Sequence, residues 1–177
     1  MNGMAALQPH NLSMLAWRQP SGWSRKFELR SGETLVATLE FQSAFGSLAV
    51  GTVSDAQWTL KRQGFFNPQA TIRKAGSDEN LGVYTPNWTG HKGVLTLNDG
   101  SSLRLKSTNF WGWEWAWHDE ADKPLVRFHN RGLLRHGADV EVEPEARRRP
   151  DLSLLVTLGW YLLFLYQQDS AAVVAAT

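Results

Sequence analysis

The chain has 177 residues, 42% of them hydrophobic, and its 18 basic and 17 acidic residues leave a formal net charge of +1. That near balance excludes a strongly basic nucleic-acid binder, so no nucleic-acid partner is expected, and the length suits one domain with a core of its own. With no cysteine there is no disulfide framework, thiolate metal site, catalytic thiol or palmitoylation site.

The N-terminal stretch lacks a basic n-region and is broken by Gln8, Pro9, His10 and Asn11, so it does not read as a signal peptide; the expected location is cytoplasmic. Residues 1–23 read as a partly ordered lead-in from which Trp17 and Trp23 dock on the body. From Ser24 apolar and polar residues alternate: Phe27 and Leu29, a turn at Ser31 and Gly32, then Leu35, Ala37, Leu39 and Phe41, which together predict a hairpin. Strands are expected over residues 47–53 and 56–62, around Ile72, and over residues 81–85, each bounded by turn residues such as Asn67-Pro68 and Gly76-Ser77-Asp78. Val94 to Leu97 and Leu103 to Lys106 flank Asn98-Asp99-Gly100, whose Asp-Gly pair suits the positive φ of a tight hairpin turn.

Trp111, Trp113, Trp115 and Trp117 occupy alternate positions, which on a strand places all four indoles on one face. A return strand over residues 124–130 adds Val126 and Phe128 to that face and sets Arg127 and His129 with Glu114 on the other. Packing into the core is the expected role of the tryptophans; a platform for stacking bases or sugars is the alternative. Val140 and Val142 predict a last strand, ended by Pro144.

Residues 151–168 then read as a helix, DLSLLVTLGWYLLFLY followed by Gln167 and Gln168, with Asp151 as its cap and residues 169–177 as a tail. A helix apolar all round must be buried, and this apolar run is shorter than the ~20 residues that span a bilayer. No integral membrane span is expected, a tail anchor being the alternative. Some eleven or twelve short strands with no helices between them exclude a parallel βαβ plan. The expected fold class is mainly β: a closed antiparallel barrel of about twelve strands, one domain over residues 24–168, wrapped around the hydrophobic C-terminal helix. Gly159 in that helix is explained if an indole approaches the helix backbone there.

The hairpins GVLTLNDGSSLRLKS and WEWAWHDEADKPLVRF, together with the terminal helix, resemble the tubby C-terminal-like superfamily, which includes tubby domains, phospholipid scramblases and LURP-one-related proteins. The resemblance covers roughly residues 24–168 and implies a twelve-stranded barrel around a helix, with lipid interaction known among its members. It carries over no site residue, and the acylated cysteines of scramblases are absent here.

Nothing in the chain matches a catalytic or nucleotide-binding motif, so the function expected is a non-enzymatic intracellular binding module, with no cofactor and no metal. Its expected partner is an anionic phospholipid at a membrane periphery, or an unidentified protein. A small-ligand carrier or enzyme using a cavity in the barrel is the alternative. The candidate headgroup ligands are Arg147, Arg148 and Arg149, assisted by Arg131 and Arg135, because cations before a helix N-terminus oppose its macrodipole and need another reason. The bland alternative is a solvated linker paired with Glu141, Glu143 and Glu145. His118 and His129 near Glu114 read as outer-face residues that do not converge, and Asp119, Glu120 and Asp122 as a solvated turn.

Overall fold

The computed structural model describes residues 7, 12, 14–54, 56–64, 66–109, 112–131 and 136–175. Twelve strands follow one another: β1 (Leu15–Arg18), β2 (Lys26–Ser31), β3 (Thr34–Phe41), β4 (Ala49–Val53), β5 (Ala56–Gln63), β6 (Gln69–Lys74), β7 (Asn80–Pro86), β8 (Lys92–Leu97), β9 (Ser102–Ser107), β10 (Glu114–His118), β11 (Pro124–Asn130) and β12 (Gly137–Val142). A 3-10 turn over Pro144–Ala146 leads into α1 (Leu152–Ala175). Each strand pairs antiparallel with the next, and β1 closes the ring by pairing with both β2 and β12. The result is a closed barrel without a free edge.

An up-and-down barrel has two ends. At the lower end lie the turns after β2, β4, β6, β8 and β10, and the connection from β12 into α1. At the upper end lie the connections after β1, β3, β5, β7, β9 and β11. From Leu152 to Leu165 every α1 side chain is buried except Ser153 and Leu162, which are half-buried. Those 14 residues span about 21 Å, so α1 traverses the barrel from the lower to the upper end. Its neighbours lie all round: Trp160 against Trp17 of β1 and Phe27 of β2, Phe164 against Phe41 of β3, and Tyr166 against Trp115 of β10. A closed sheet of this strand number leaves an axial space that side chains from the wall cannot fill, and the apolar helix fills it.

Close packing depends on small residues where helix and wall touch. The Trp117 indole N–H donates to the Leu155 carbonyl at 2.9 Å. Gly159, one turn on, keeps that path open, since a Cβ there would stand 2.9 Å from Trp117 Nε1 and inside the van der Waals distance of Phe128. On the opposite wall Gly51 leaves room for the Thr157 methyl, and the Thr157 hydroxyl donates back to the Ser153 carbonyl at 2.8 Å. The Tyr161 hydroxyl donates to the Ser47 carbonyl at 2.8 Å, so that polar group is satisfied inside the barrel.

Several expectations need correction. The closing strand β1 lies within the stretch read as lead-in, because its Leu15 and Trp17 supply buried core residues while its backbone joins β2 to β12. Trp17 docks as expected, but Trp23 is fully exposed. The helix continues to Ala175, past Gln168, since nothing after Asp169 breaks it. The Asp151 carboxylate is taken by the Arg149 guanidinium at 2.7 and 2.8 Å, and the Asp151 carbonyl accepts the Leu155 N–H. Of the tryptophan stripe, Trp115 and Trp117 face inward opposite Phe128 and Val126, whereas Trp113 precedes β10 and is half-exposed. Trp111 lies outside the described residues. His118 keeps the outer-face position that alternation gave it, level with Arg104 of β9, but it is buried there and not solvated.

Candidate functional site

Where α1 leaves the barrel, helix and wall part. Leu162, Leu163 and Tyr166 on one side and Ala70, Tyr84, Leu105 and Trp115 on the other enclose a mostly apolar slot of about 290 Å³. Its mouth is formed by Asn87, Trp88, Thr89 and Gly90, which connect β7 to β8, and by Arg62 and Asp169. The slot exists because the wall is locally thin: Ala70 is small, and Gly93 on β8 lets the Tyr84 ring lie over its backbone. Tyr166 bounds the slot through an edge contact with Trp115 at 5.1 Å between ring centroids, and its hydroxyl lies 3.3 Å from the His91 imidazole nitrogens.

Two polar features face this space. Arg62 of β5 and Asp169 of α1 form a bidentate ion pair across the mouth, partly exposed to water. Deeper in, Tyr84 is buried, and burial pushes its phenol well above the usual range, so it stays a neutral hydroxyl at any physiological pH. No described residue hydrogen-bonds that hydroxyl. A mostly apolar chamber with a buried hydroxyl and an ion pair at its opening can hold a small apolar molecule by its body and an amphiphile by its polar end. No nucleophile and base converge on it among the residues lining it, and no group of three metal-ligating side chains occurs among the described residues.

The candidate arginines do not form one patch. Arg131 begins the connection after β11 at the upper end, while Arg147, Arg148 and Arg149 follow β12 at the lower end, some 20 Å away along β12. Arg131 is engaged by Asp139, and Arg149 by Asp151, which raises the affinity of both guanidinium groups for their proton. Arg147 and Arg148 are exposed, and no described residue pairs with their side chains. Arg135 lies outside the described residues. Glu143, expected beside the arginine run, is instead bonded by Arg127 at 2.8 Å.

The outer-face histidine is embedded in that same lattice: His129 lies 3.7 Å from both Glu114 and Glu141, with Arg127 between Glu114 and Glu143. This is a cross-strand charge network on a solvated face, as the register of β10 and β11 requires. His118 stands apart, its Nδ1–H donating to the Ala116 carbonyl at 3.1 Å. Burial, and then the nearby Lys106 charge, hold its pKa below the ordinary value. The acidic turn is solvated, with Lys106 donating to Asp122 at 2.8 Å and pulling that carboxyl down.

No helix among the described residues is long and apolar enough to cross a membrane. The residues around the slot were not legible as a site, because Ala70, Tyr84 and Leu105 obey the same alternation as any core strand position and Leu163 belongs to the all-apolar run of α1. No family model matches the chain, and neither a curated protein nor a solved structure matches it.

Proposed function

We propose that this chain is a non-enzymatic binding module that holds a small apolar or amphiphilic ligand in the slot between α1 and the barrel wall. The observation that carries this reading is the 290 Å³ chamber itself, opening at the upper mouth in a barrel whose interior is otherwise filled by a helix. Its volume lies at the small end of the roughly 300–1,000 Å³ typical of ligand sites, which suits a short alkyl chain or one aromatic ring and not a whole phospholipid. The Tyr84 hydroxyl would take the one polar group that enters, and the Arg62–Asp169 pair would meet a polar end left at the mouth.

Native mass spectrometry of the purified chain, followed by a fluorescence titration of the delipidated protein with decanoate, tests this. Trp115 lines the slot, so saturable binding should change its emission. Ala70→Phe fills the chamber from the wall and should abolish the response while leaving a cooperative unfolding transition. No retained mass and no saturable response in the unsubstituted chain would overturn the proposal.

A further inference from the structure

The two ends of the barrel differ in kind. In sequence, each of the six lower-end connections (residues 32–33, 54–55, 75–79, 98–101, 119–123 and 143–151) contains at least one Asp or Glu, and none contains an aromatic residue. In the six upper-end connections (residues 19–25, 42–48, 64–68, 87–91, 108–113 and 131–136) there is no Asp or Glu at all. Five of these six carry a described aromatic side chain that reaches into solvent: Trp23 at 100% exposure, Phe45 at 101%, Phe66 at 91%, Trp88 at 96% and Trp113 at 45%. Exposed apolar residues scattered singly, such as Met14 before β1, need no explanation, but an exposed aromatic on almost every connection of one end, and on none of the connections of the other, does.

A third feature shares the upper end. α1 emerges there and continues for ten residues after its last buried side chain, Leu165, with no charge after Asp169 and with Val173 and Val174 exposed at 66% and 76%. An uncharged Ala/Val helix tip therefore stands inside a ring of aromatic loop tips.

From these observations we infer that the upper end is a docking surface for the headgroup zone of an anionic lipid bilayer. Tryptophan and phenylalanine partition into that zone, where an indole keeps its N–H near water and its ring near acyl chains. The ring of tips is ~24 Å across for a twelve-stranded barrel, and its members sit on five separate loops. A rigid protein partner takes its anchors in a packed central cluster, whereas a fluid surface closes around each tip independently. The charge distribution agrees. Arg18 and Lys92 lie on the strand ends at this mouth with no described ion-pair partner, while the carboxylate-rich lower end would be held away from an anionic surface. The inference does not need the slot to be occupied, although the slot opens through the same face.

The test uses the full chain with vesicles of phosphatidylcholine alone and of phosphatidylcholine mixed with phosphatidylserine. Trp23→Ser with Phe45→Ser removes two tips that do not line the slot, and Arg147→Ala with Arg148→Ala removes two free cations of the opposite end. The unsubstituted chain should co-sediment with the mixed vesicles, more weakly with the zwitterionic ones, and its tryptophan emission should shift to the blue. The tip variant should lose about tenfold or more of its partitioning, while the arginine variant stays close to the unsubstituted chain. All three should melt alike, because every replaced side chain is exposed, and the tip variant should keep any decanoate response. Failure of the unsubstituted chain to bind either vesicle, or equal binding by the tip variant, would overturn the inference. So would loss of binding in the arginine variant alone, which would assign the membrane to the lower end. Sedimentation velocity without lipid closes the remaining route: self-association abolished by the tip substitutions, with no vesicle binding, would make the occupant a second copy of the chain.

Discussion

Gly159 shows how one missing side chain organises the centre of the barrel. In an isolated helix alanine is better than glycine by about 1 kcal/mol, so propensity alone favours Gly159→Ala. Inside this barrel the added methyl would meet the Phe128 ring and the Trp117 indole, whose N–H is committed to the Leu155 carbonyl. Both rings are fully buried and have nowhere to move. Overpacking should therefore outweigh propensity, and Gly159→Ala should destabilise the fold by about 1–3 kcal/mol in a denaturant titration. His118 gives the second prediction at this scale. Its ordinary pKa is 6.5 and its folded value is lower, so below pH 6.5 the unfolded chain takes up a proton that the folded chain refuses. The stability that His118 contributes is complete above pH 6.5 and declines as pH falls from there toward the depressed folded value. Comparing unfolding free energies of the unsubstituted chain and His118→Gln between pH 7.5 and pH 5 should show a steeper decline in the former; parallel curves would contradict the assignment.

Among the elements, α1 differs from the strands in that its sequence has no polar face until it leaves the barrel. Strands such as β2, β4 and β9 alternate, with one set of side chains turned to the helix and the other outward, and the hydrogen-bonded ring satisfies the backbone. α1 satisfies its own backbone and contributes side chains in every direction. Leu155 is fully buried, and its neighbourhood, with Trp117 and Phe128 close by, offers no cation to pair with an introduced carboxylate. Leu155→Asp should cost several kcal/mol or unfold the chain, read from its thermal transition. A near-native transition would mean that the helix does not sit in the barrel axis. The Arg62–Asp169 pair is a different kind of contact between α1 and the wall, and its exposure limits its worth to about 1 kcal/mol or less.

At the scale of the whole molecule, nearly all pairing is between sequence neighbours, and two long-range events complete the fold: β1 meets β12, and α1 passes through the ring. Threading the helix fixes the two ends as chemically distinct surfaces, since the same helix starts at the acidic end and brings its uncharged tip to the aromatic one. Much of the architecture was written in local patterns. Alternation marked the strands, the Asn98-Asp99-Gly100 turn appears with Gly100 at φ +84°, and the all-apolar run of α1 demanded enclosure, which for a single helix among short strands means a barrel. That Trp115 and Trp117 share a face with Val126 and Phe128, and Glu114 the other with Arg127 and His129, followed from a period of two. What tertiary structure alone decided were matters of position relative to distant residues. β1 is only four residues long, too short to stand out by alternation, and it is a strand because β2 and β12 offer it hydrogen bonds on both sides. The burial of His118 on the outer face depends on what neighbouring strands pack over it, and the slot depends on a gap between surfaces that are separately ordinary in sequence. The arginines read as one group were divided between opposite ends by the direction of β12, whereas aromatic residues scattered through the chain were gathered at one end by the alternation of strand direction. Local periodicity carries the form of each element because it reflects which side chains meet water; it carries no record of which loops share an end, because that is set by strand direction and closure.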